Sequence, residues 1–393
     1  MAKSNILART GNEAMAEAMR QIDPDVVAAY PITPATEVVQ IFAGYVADGV
    51  VKTEFVPVES EHSAMSACIG ASAAGARAMT GTSSQGLALM AEMLYVAAGL
   101  RLPIVLADVN RALSSPINIH CDHSDTMMVR DAGWIQIFSE NAQEGYDNMI
   151  QAMKIAEAAK LPTIVTTDGF IIIHVMERIE ILSDDDVKKF VGEYKPEHYL
   201  LNMDKPPITI GALDLQDYYF EHRRQIAEAM KDSKAIIEKV GKEYGQKTGR
   251  SYGLFEEYKL EDADCAIVAM GSTAGTAKVV VDELREKGLK VGLLKPRVFR
   301  PFPQDEIADA LKGLKAIAVM DRSDSLNGCE GPLCTEVKTA LFDKGLNKIV
   351  ANYIYGLGGR EIGISDLEGV YKNLIDASNG KAIDKITYLG VRE

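Results

Sequence analysis

The 393-residue chain has only five cysteines and no Cys-x-x-Cys pair. They are Cys68, Cys121, Cys265, Cys329 and Cys334. Because disulfide frameworks need paired cysteines and iron–sulfur clusters need several closely spaced ones, we expect neither in this chain. Cys329 and Cys334 have a spacing found in clusters, but the third and fourth ligands are missing nearby. An odd number of scattered cysteines fits a reducing cytoplasm.

Runs of basic residues and long apolar runs are also missing. Lys plus Arg number 42 against 56 for Asp plus Glu, a formal net charge of −14. An acidic surface repels phosphate groups, which argues against nucleic acid and anionic membranes as partners. Residues 1–21 lack the apolar segment of a signal peptide, and the longer apolar runs elsewhere are strand-sized or carry charges. The sequence predicts a cytoplasmic protein that does not span a membrane.

Helix-like and strand-like segments alternate through most of the chain. Short apolar runs between helices are typical of a parallel sheet that is covered on both faces. The alternation stops near residue 184, gives way to a charged helix over 217–244, and resumes after residue 254. We therefore predict an α/β fold with two parallel-sheet domains, at 1–183 and 255–393, joined by a helical linker region at 184–254.

Two polar segments follow predicted strands, where ligands bind in open parallel sheets. In Tyr30-Pro31-Ile32-Thr33-Pro34, either Thr33 presents its hydroxyl to a ligand or it caps a helix with Pro34 as the first helical residue. In Glu59-Ser60-Glu61-His62, the carboxylates either favour a helix N-terminus or form an acid/base cluster with the histidine. Local sequence leaves both alternatives open.

Two further segments offer binding chemistry. Arg111 either clamps a carboxylate through its planar fork or forms a surface ion pair with Asp108 or another neighbour. His120-Cys121-Asp122-His123-Ser124-Asp125 could hold zinc, although consecutive residues in one loop point in divergent directions, which favours a polar active-site loop.

Two glycine-containing turns are less specific. Ser272–Thr276 resembles a phosphate-binding turn at a helix N-terminus, but the full Gly-x-Gly-x-x-Gly pattern is missing. Tyr355-Gly-Leu-Gly-Gly-Arg360 is either a binding element or a plain turn.

Six motifs together resemble one enzyme family, the alpha subunits of 2-oxoacid:ferredoxin oxidoreductases. The nearest type is pyruvate:ferredoxin oxidoreductase (pyruvate synthase). The motifs are YPITP at 30–34, VESEHSA at 58–64, TSSQGLALM at 82–90, NRALS at 110–114, GWIQ at 133–136 and YGLGGR at 355–360. Together with Arg300-Pro-Phe-Pro303, these motifs are distributed along nearly the whole chain.

The resemblance implies a thiamine diphosphate enzyme that is active only as a complex. The first domain would be the pyrimidine-binding domain, and the second would be similar to the C-terminal domain of transketolase. Mg²⁺ and [4Fe-4S] clusters are expected on partner beta, gamma and delta (ferredoxin-like) subunits. The implied reaction is the reversible oxidative decarboxylation of pyruvate with coenzyme A to acetyl-CoA and CO2, with ferredoxin as electron acceptor.

The resemblance also implies roles for individual residues. Glu61 matches the catalytic glutamate that hydrogen-bonds the aminopyrimidine ring of the cofactor. Thr33 and Arg111 match residues that contact the substrate, with Arg111 as the partner of its carboxylate. The other cofactor-binding positions are Tyr30, Pro31, Ile32, Ser84 and Gln85. No metal ligand is assigned, because the loop 120–125 falls where the family has a variable polar loop.

Three alternatives remain open at this point. The same machinery could act on 2-oxoisovalerate or 2-oxoglutarate, because the motifs do not identify the residues around the substrate's tail. A zinc-dependent hydrolase could use the loop 120–125. The chain could also be a non-catalytic scaffold subunit.

Overall fold

The computed structural model describes residues 5–392. Residues 1–4, which belong to the segment 1–21 considered above, and residue 393 lie outside this range. The strands are β1 (Asn5–Arg9), β2 (Val26–Ala29), β3 (Glu54–Pro57), β4 (Ala78–Thr82), β5 (Val105–Asn110), β6 (Ile135–Phe138), β7 (Thr163–Asp168), β8 (Glu177–Ile181), β9 (Phe255–Tyr258), β10 (Cys265–Val268), β11 (Val291–Pro296), β12 (Val298–Arg300), β13 (Ala316–Asp321), β14 (Ile349–Tyr355) and β15 (Ile386–Leu389).

Helices separate most of these strands. They are α1 (Gly11–Ile22), α2 (Thr36–Ala47), α3 (Glu61–Ala73), α4 (Gln85–Gly99), α5 (Ser124–Met128), α6 (Ala142–Ala159), α7 (Asp184–Val191), α8 (Tyr219–Thr248), α9 (Thr273–Glu286), α10 (Gln304–Leu311), α11 (Pro332–Asp343) and α12 (Ile364–Ser378). A short 3-10 turn covers Leu357–Gly359. No helix in residues 5–392 combines the length and the apolar composition needed to cross a bilayer.

The first large sheet has seven strands in the order β12-β6-β7-β5-β4-β2-β3. All its pairs are parallel except that between β12 and β6. Side chains alternate between its two faces. One face packs against α1, α2 and α6, and the other packs against α3 and α4. The carboxyl ends of β2, β4 and β5 therefore open onto the turns that precede the covering helices.

The second large sheet has six strands in the order β15-β14-β13-β10-β11-β9. Its pairs are parallel except that between β9 and β11. Helices α9 and α12 pack on one face, and α10 and α11 pack on the other. The α/β fold class with mostly parallel sheets is thus confirmed.

Several details differ from the sequence-based expectations. Strand β12, which lies in the predicted second domain, extends the first sheet rather than the second. A small antiparallel sheet of β1 and β8 was not predicted. The long linker helix α8 ends four residues beyond the predicted end at residue 244 and packs on α6. The domain boundaries themselves stay predictions.

Candidate active site

Glu61 is the first residue of α3, at the carboxyl end of the first sheet. Ser60 caps this helix by accepting a hydrogen bond from the Ser63 backbone nitrogen at 3.2 Å. The exposed Glu59 carboxylate instead hydrogen-bonds the Ser63 hydroxyl. Glu61 is 6% exposed, and its carboxyl group has no hydrogen-bond partner among residues 5–392. Since Ser60 already caps the helix, the Glu61 carboxyl is available to a ligand.

The backbone of α4 passes very close to this carboxyl group. A Cβ atom added at Gly86 would lie 2.7 Å from Glu61 Oε1 and closer still to the Thr82 hydroxyl. The Thr82 hydroxyl is buried and has no partner in the described part of the chain. A bare glycine backbone thus leaves a carboxyl and a hydroxyl that a nitrogen heterocycle could hydrogen-bond. These residues fit the aminopyrimidine half of thiamine diphosphate.

The segment from Tyr30 to Thr33 lies on the surface beside this site. Tyr30, Pro31 and Thr33 are exposed and Ile32 is half-buried. Helix α2 begins only at Thr36, after Ala35, so the alternative in which Thr33 caps a helix is wrong. The residues between β2 and α2 form a turn that leaves the Thr33 carbonyl free to accept a hydrogen bond.

Arg111 meets Thr33 through that carbonyl. Its Nη1 donates to the Thr33 oxygen at 2.8 Å, and its Nε donates to the Asn118 carbonyl at 2.9 Å. The side chain is buried, and burial lowers the pKa of the guanidinium without neutralising it. Because Arg111 binds carbonyls in the protein interior, the alternative of a surface ion pair is wrong. Its Nη2 group has no partner within the described range, so it can bind a carboxylate.

Ser84 joins the same group of residues. Its hydroxyl donates to the Ala112 carbonyl at 2.6 Å, and its backbone nitrogen donates to Asp125 at 3.1 Å. Gln85, the first residue of α4, approaches the Ser84 hydroxyl with its side-chain oxygen at 2.7 Å. Ser84 has a left-handed backbone with φ of +49°, which costs energy for a residue that carries a Cβ. The start of α4 and the Arg111 segment are therefore held together.

Asp125 is a site residue whose role the sequence did not reveal. Its carboxylate accepts hydrogen bonds from the backbone nitrogens of Ser84 and Arg111, at 3.1 Å and 2.8 Å. It also accepts one from Asn110 Nδ2 at 3.0 Å, and the same amide contacts Asp108 at 3.2 Å. Burial raises the pKa of Asp125, and burial together with Asp125 raises the pKa of Asp108 well above its usual range.

The side chains of the loop 120–125 do not converge on a zinc site, because they bind other protein groups. Asp125 bonds the backbone as described, and Asp122 binds the Ser124 and Gly358 backbone nitrogens. Cys121 and His123 instead approach Asp168, with one ligand atom of each within 4.8 Å of the others. A buried arginine, Arg322, donates to the same carboxylate at 3.0 Å. A guanidinium in that position already neutralises the carboxylate and repels a metal cation.

The predicted phosphate-binding turn holds an anion from its own chain. Asp168 accepts hydrogen bonds from the Ser272 backbone nitrogen at 2.9 Å and from its hydroxyl at 2.5 Å, at the N-terminus of α9. His123 Nε2 lies 2.8 Å from the other carboxylate oxygen. Although burial raises the pKa of Asp168, His123 and Arg322 outweigh it and hold the pKa below its usual range. The turn thus links the two sheets, and the phosphate interpretation is wrong.

Comparisons with known proteins identify the family of the chain. Residues 17–242 match the family model described as pyruvate flavodoxin/ferredoxin oxidoreductase, thiamine diphosphate-binding. Residues 263–367 match pyruvate:ferredoxin oxidoreductase core domain II. The chain is 55% identical over 390 residues to pyruvate synthase subunit PorA of Thermotoga maritima, covering 98% of each chain. It is 44% identical over 377 residues to ketoisovalerate oxidoreductase subunit VorA of Pyrococcus horikoshii, covering 96% and 95%.

A solved structure has the same fold. The 2-oxoglutarate:ferredoxin oxidoreductase of Magnetococcus marinus superposes with a TM-score of 0.73 at 21% identity, over 95% of this chain and 66% of that chain. The family models and the relatives of 44–55% identity confirm the resemblance inferred from the motifs. The chain belongs to the pyruvate:ferredoxin oxidoreductase family and carries the family's thiamine diphosphate-binding domain.

Proposed function

We propose that this chain is the thiamine diphosphate-binding alpha subunit of a pyruvate synthase. The complete complex converts pyruvate and coenzyme A to acetyl-CoA and CO2, and passes the electron pair left by decarboxylation to ferredoxin. The observation that carries the proposal is the buried, unpaired carboxyl of Glu61 against the bare backbone at Gly86. When bound, the cofactor supplies the electron sink for loss of CO2.

Glu61 is the acid/base residue of the proposal. Its position at the start of α3 would place a carboxyl group beside the aminopyrimidine ring. A carboxyl can hold a proton at a ring nitrogen and take it back, whereas an amide cannot. We further propose that Tyr30, Pro31, Ile32, Ser84 and Gln85 contact the cofactor, because they lie at the starts of the segments that follow β2 and β4.

Arg111 and Thr33 are the proposed substrate contacts. Arg111 supplies a positive charge. Its Nε and Nη1 atoms bind backbone carbonyls, and its Nη2 atom has no partner in the described structure. A 2-oxoacid has a carboxylate next to its reacting carbonyl, which matches this guanidinium. The exposed Thr33 lies beside it and offers a hydroxyl to the same molecule.

The remaining cofactors are proposed to lie on partner subunits. Four of the five cysteines are buried, and Cys329 is exposed. No three of these described cysteines lie close enough together to hold an iron–sulfur cluster. The relatives are themselves named as subunits. Beta, gamma and ferredoxin-like delta chains would supply Mg²⁺, the [4Fe-4S] clusters and the path to ferredoxin.

The test is a substrate comparison on the complex purified with its partner chains. Reduction of methyl viologen is measured with coenzyme A and pyruvate, 2-oxoisovalerate or 2-oxoglutarate, and the thiamine diphosphate content is determined in parallel. We expect pyruvate to give the highest kcat/KM. Ketoisovalerate oxidoreductases are among the relatives, so a preference for 2-oxoisovalerate is the second candidate. A complex that contains the cofactor but reduces viologen with none of the three acids would contradict the proposal.

A further inference from the structure

The glycine-rich loop of the second sheet packs directly on the substrate side of the first. This loop begins at Tyr355, the last residue of strand β14, and ends at Arg360. The Gly359 backbone nitrogen donates to the Cys121 carbonyl at 2.7 Å. The Gly358 backbone nitrogen donates to Asp122 at 3.1 Å. The loop therefore touches the segment that follows Arg111 in the chain.

Asn118 connects this loop to Arg111. Its Nδ2 donates to the Gly358 carbonyl at 3.0 Å, and its Oδ1 accepts from the His120 backbone nitrogen at 2.7 Å. Because the amide nitrogen faces a carbonyl and the amide oxygen faces an N–H group, only one orientation of the side chain satisfies both. The backbone carbonyl of the same residue accepts from Arg111 Nε at 2.9 Å.

Two independent features disfavour a side chain at position 358. Its φ is +59°, in the left-handed region that side chains disfavour. A Cβ atom there would lie 2.5 Å from Asn118 Nδ2 and 3.3 Å from Asn118 Cγ. An added side chain would therefore push the Asn118 amide out of its hydrogen bond with the Gly358 carbonyl, and that hydrogen bond holds the residue whose backbone carbonyl accepts from Arg111.

We propose that Gly358 and Asn118 are positioning residues for the substrate clamp. The second sheet sets the orientation of Arg111 through them without touching the substrate. The inference rests on the proposed function, in which Arg111 binds the carboxylate of the 2-oxoacid. It assigns a role in substrate affinity to the YGLGGR motif, which otherwise has the appearance of a plain turn.

The test compares two glycine variants of the complete complex. Gly358→Ala pushes on Asn118, whereas Gly345→Ala has a similar left-handed φ of +66° and no atom within 4 Å of the added Cβ. Both substitutions cost comparable backbone strain, so their difference isolates the contact. Losing the orientation of one charged clamp should raise the KM for pyruvate about 10-fold in Gly358→Ala, with a smaller change in kcat. Gly345→Ala should leave both parameters as in the wild type.

Two further variants separate positioning from general damage. Asn118→Ala removes the hydrogen bond to the Gly358 carbonyl without introducing a clash. It should raise the KM for pyruvate about 3- to 10-fold, even if the Gly358→Ala complex fails to assemble. Arg111→Lys lacks the guanidinium Nε that donates to Asn118, so adding Gly358→Ala to it should raise the KM little further. Purely structural damage would instead add to the effect of Arg111→Lys.

The outcomes are distinguishable. Equal KM values in Gly358→Ala and Gly345→Ala, an unchanged KM in Asn118→Ala, or full additivity with Arg111→Lys would overturn the inference alone. A wild-type complex that is inactive with every 2-oxoacid would overturn the proposed function and the inference with it.

Discussion

Gly86→Ala should damage catalysis by displacing the carboxyl group of Glu61. The new Cβ would lie 2.7 Å from Glu61 Oε1, whereas ordinary van der Waals contacts begin at 3.4 Å. Because the same atom would lie even closer to the Thr82 hydroxyl, Thr82 and Glu61 would both have to move, by several tenths of an ångström or more. Misplacing a catalytic group on this scale costs on the order of 100-fold in rate. Overpacking destabilises by about 1–3 kcal/mol, partly offset by the better helix propensity of alanine.

The assay is pyruvate-dependent viologen reduction by the purified complex, with the thiamine diphosphate content measured on the same sample. Gly99→Ala is the matched control, because Gly99 ends the same helix and an added Cβ there meets no atom within 4 Å. We expect the control to keep wild-type activity. If Gly86→Ala did so too, with its cofactor bound, the position of the Glu61 carboxyl would not matter and the reasoning would be refuted.

Three other substitutions test separate parts of the structure. Arg111→Ala should raise the KM for pyruvate roughly 30-fold or more, since losing a charge-assisted clamp costs on the order of 2–4 kcal/mol, and an unchanged steady-state KM would remove Arg111 from the site. Asp168→Asn leaves Arg322 buried without its charged partner and should destabilise by about 3–5 kcal/mol; an unaltered thermal unfolding midpoint would contradict this. Burial raises the pKa of Asp321 to about 7, so the folded state retains this proton longer than the unfolded state, and stability falls as pH rises from about 4 to about 7. Asp321→Asn removes this fall, of which about 3 kcal/mol lies between about pH 5 and about pH 8, and denaturant unfolding at those two pH values would detect it as a changed difference from the wild type.

Local patterns sufficed for much of the fold. The alternation of apolar runs and helices predicted an α/β fold with parallel sheets and a long charged helix between them, and the structure has both. Pairings between distant segments could not be predicted. Strand β12 is only three residues long, and it pairs with β6 of the first sheet. This pairing depends on the path of the chain in the folded protein, which local composition does not encode.

The site was predicted by motif, and its connections were not. Asp125 was noticed as a possible zinc ligand, but its acceptance of two backbone N–H groups from different segments depends on loop paths that local sequence does not encode. The turn at Ser272 was identified correctly as an anion-binding shape, yet the anion is Asp168, from the end of β7. Sequence motifs of this kind predict which chemical group a position can bind, but they do not predict which residue or ligand supplies that group.

The most direct test of the central claim is Glu61→Gln in the complete complex. Glutamine keeps the size and a hydrogen-bonding oxygen but cannot exchange a proton. Glu59→Gln is the matched control, because Glu59 is exposed and lies two residues away.

The readout is 2-oxoacid-dependent viologen reduction, with subunit composition and thiamine diphosphate content verified for each variant. Loss of an acid/base group costs about 100-fold or more. We predict a loss of that size in Glu61→Gln with the complex intact, and wild-type activity in Glu59→Gln. A Glu61→Gln complex that keeps most of its pyruvate-dependent activity would contradict the account.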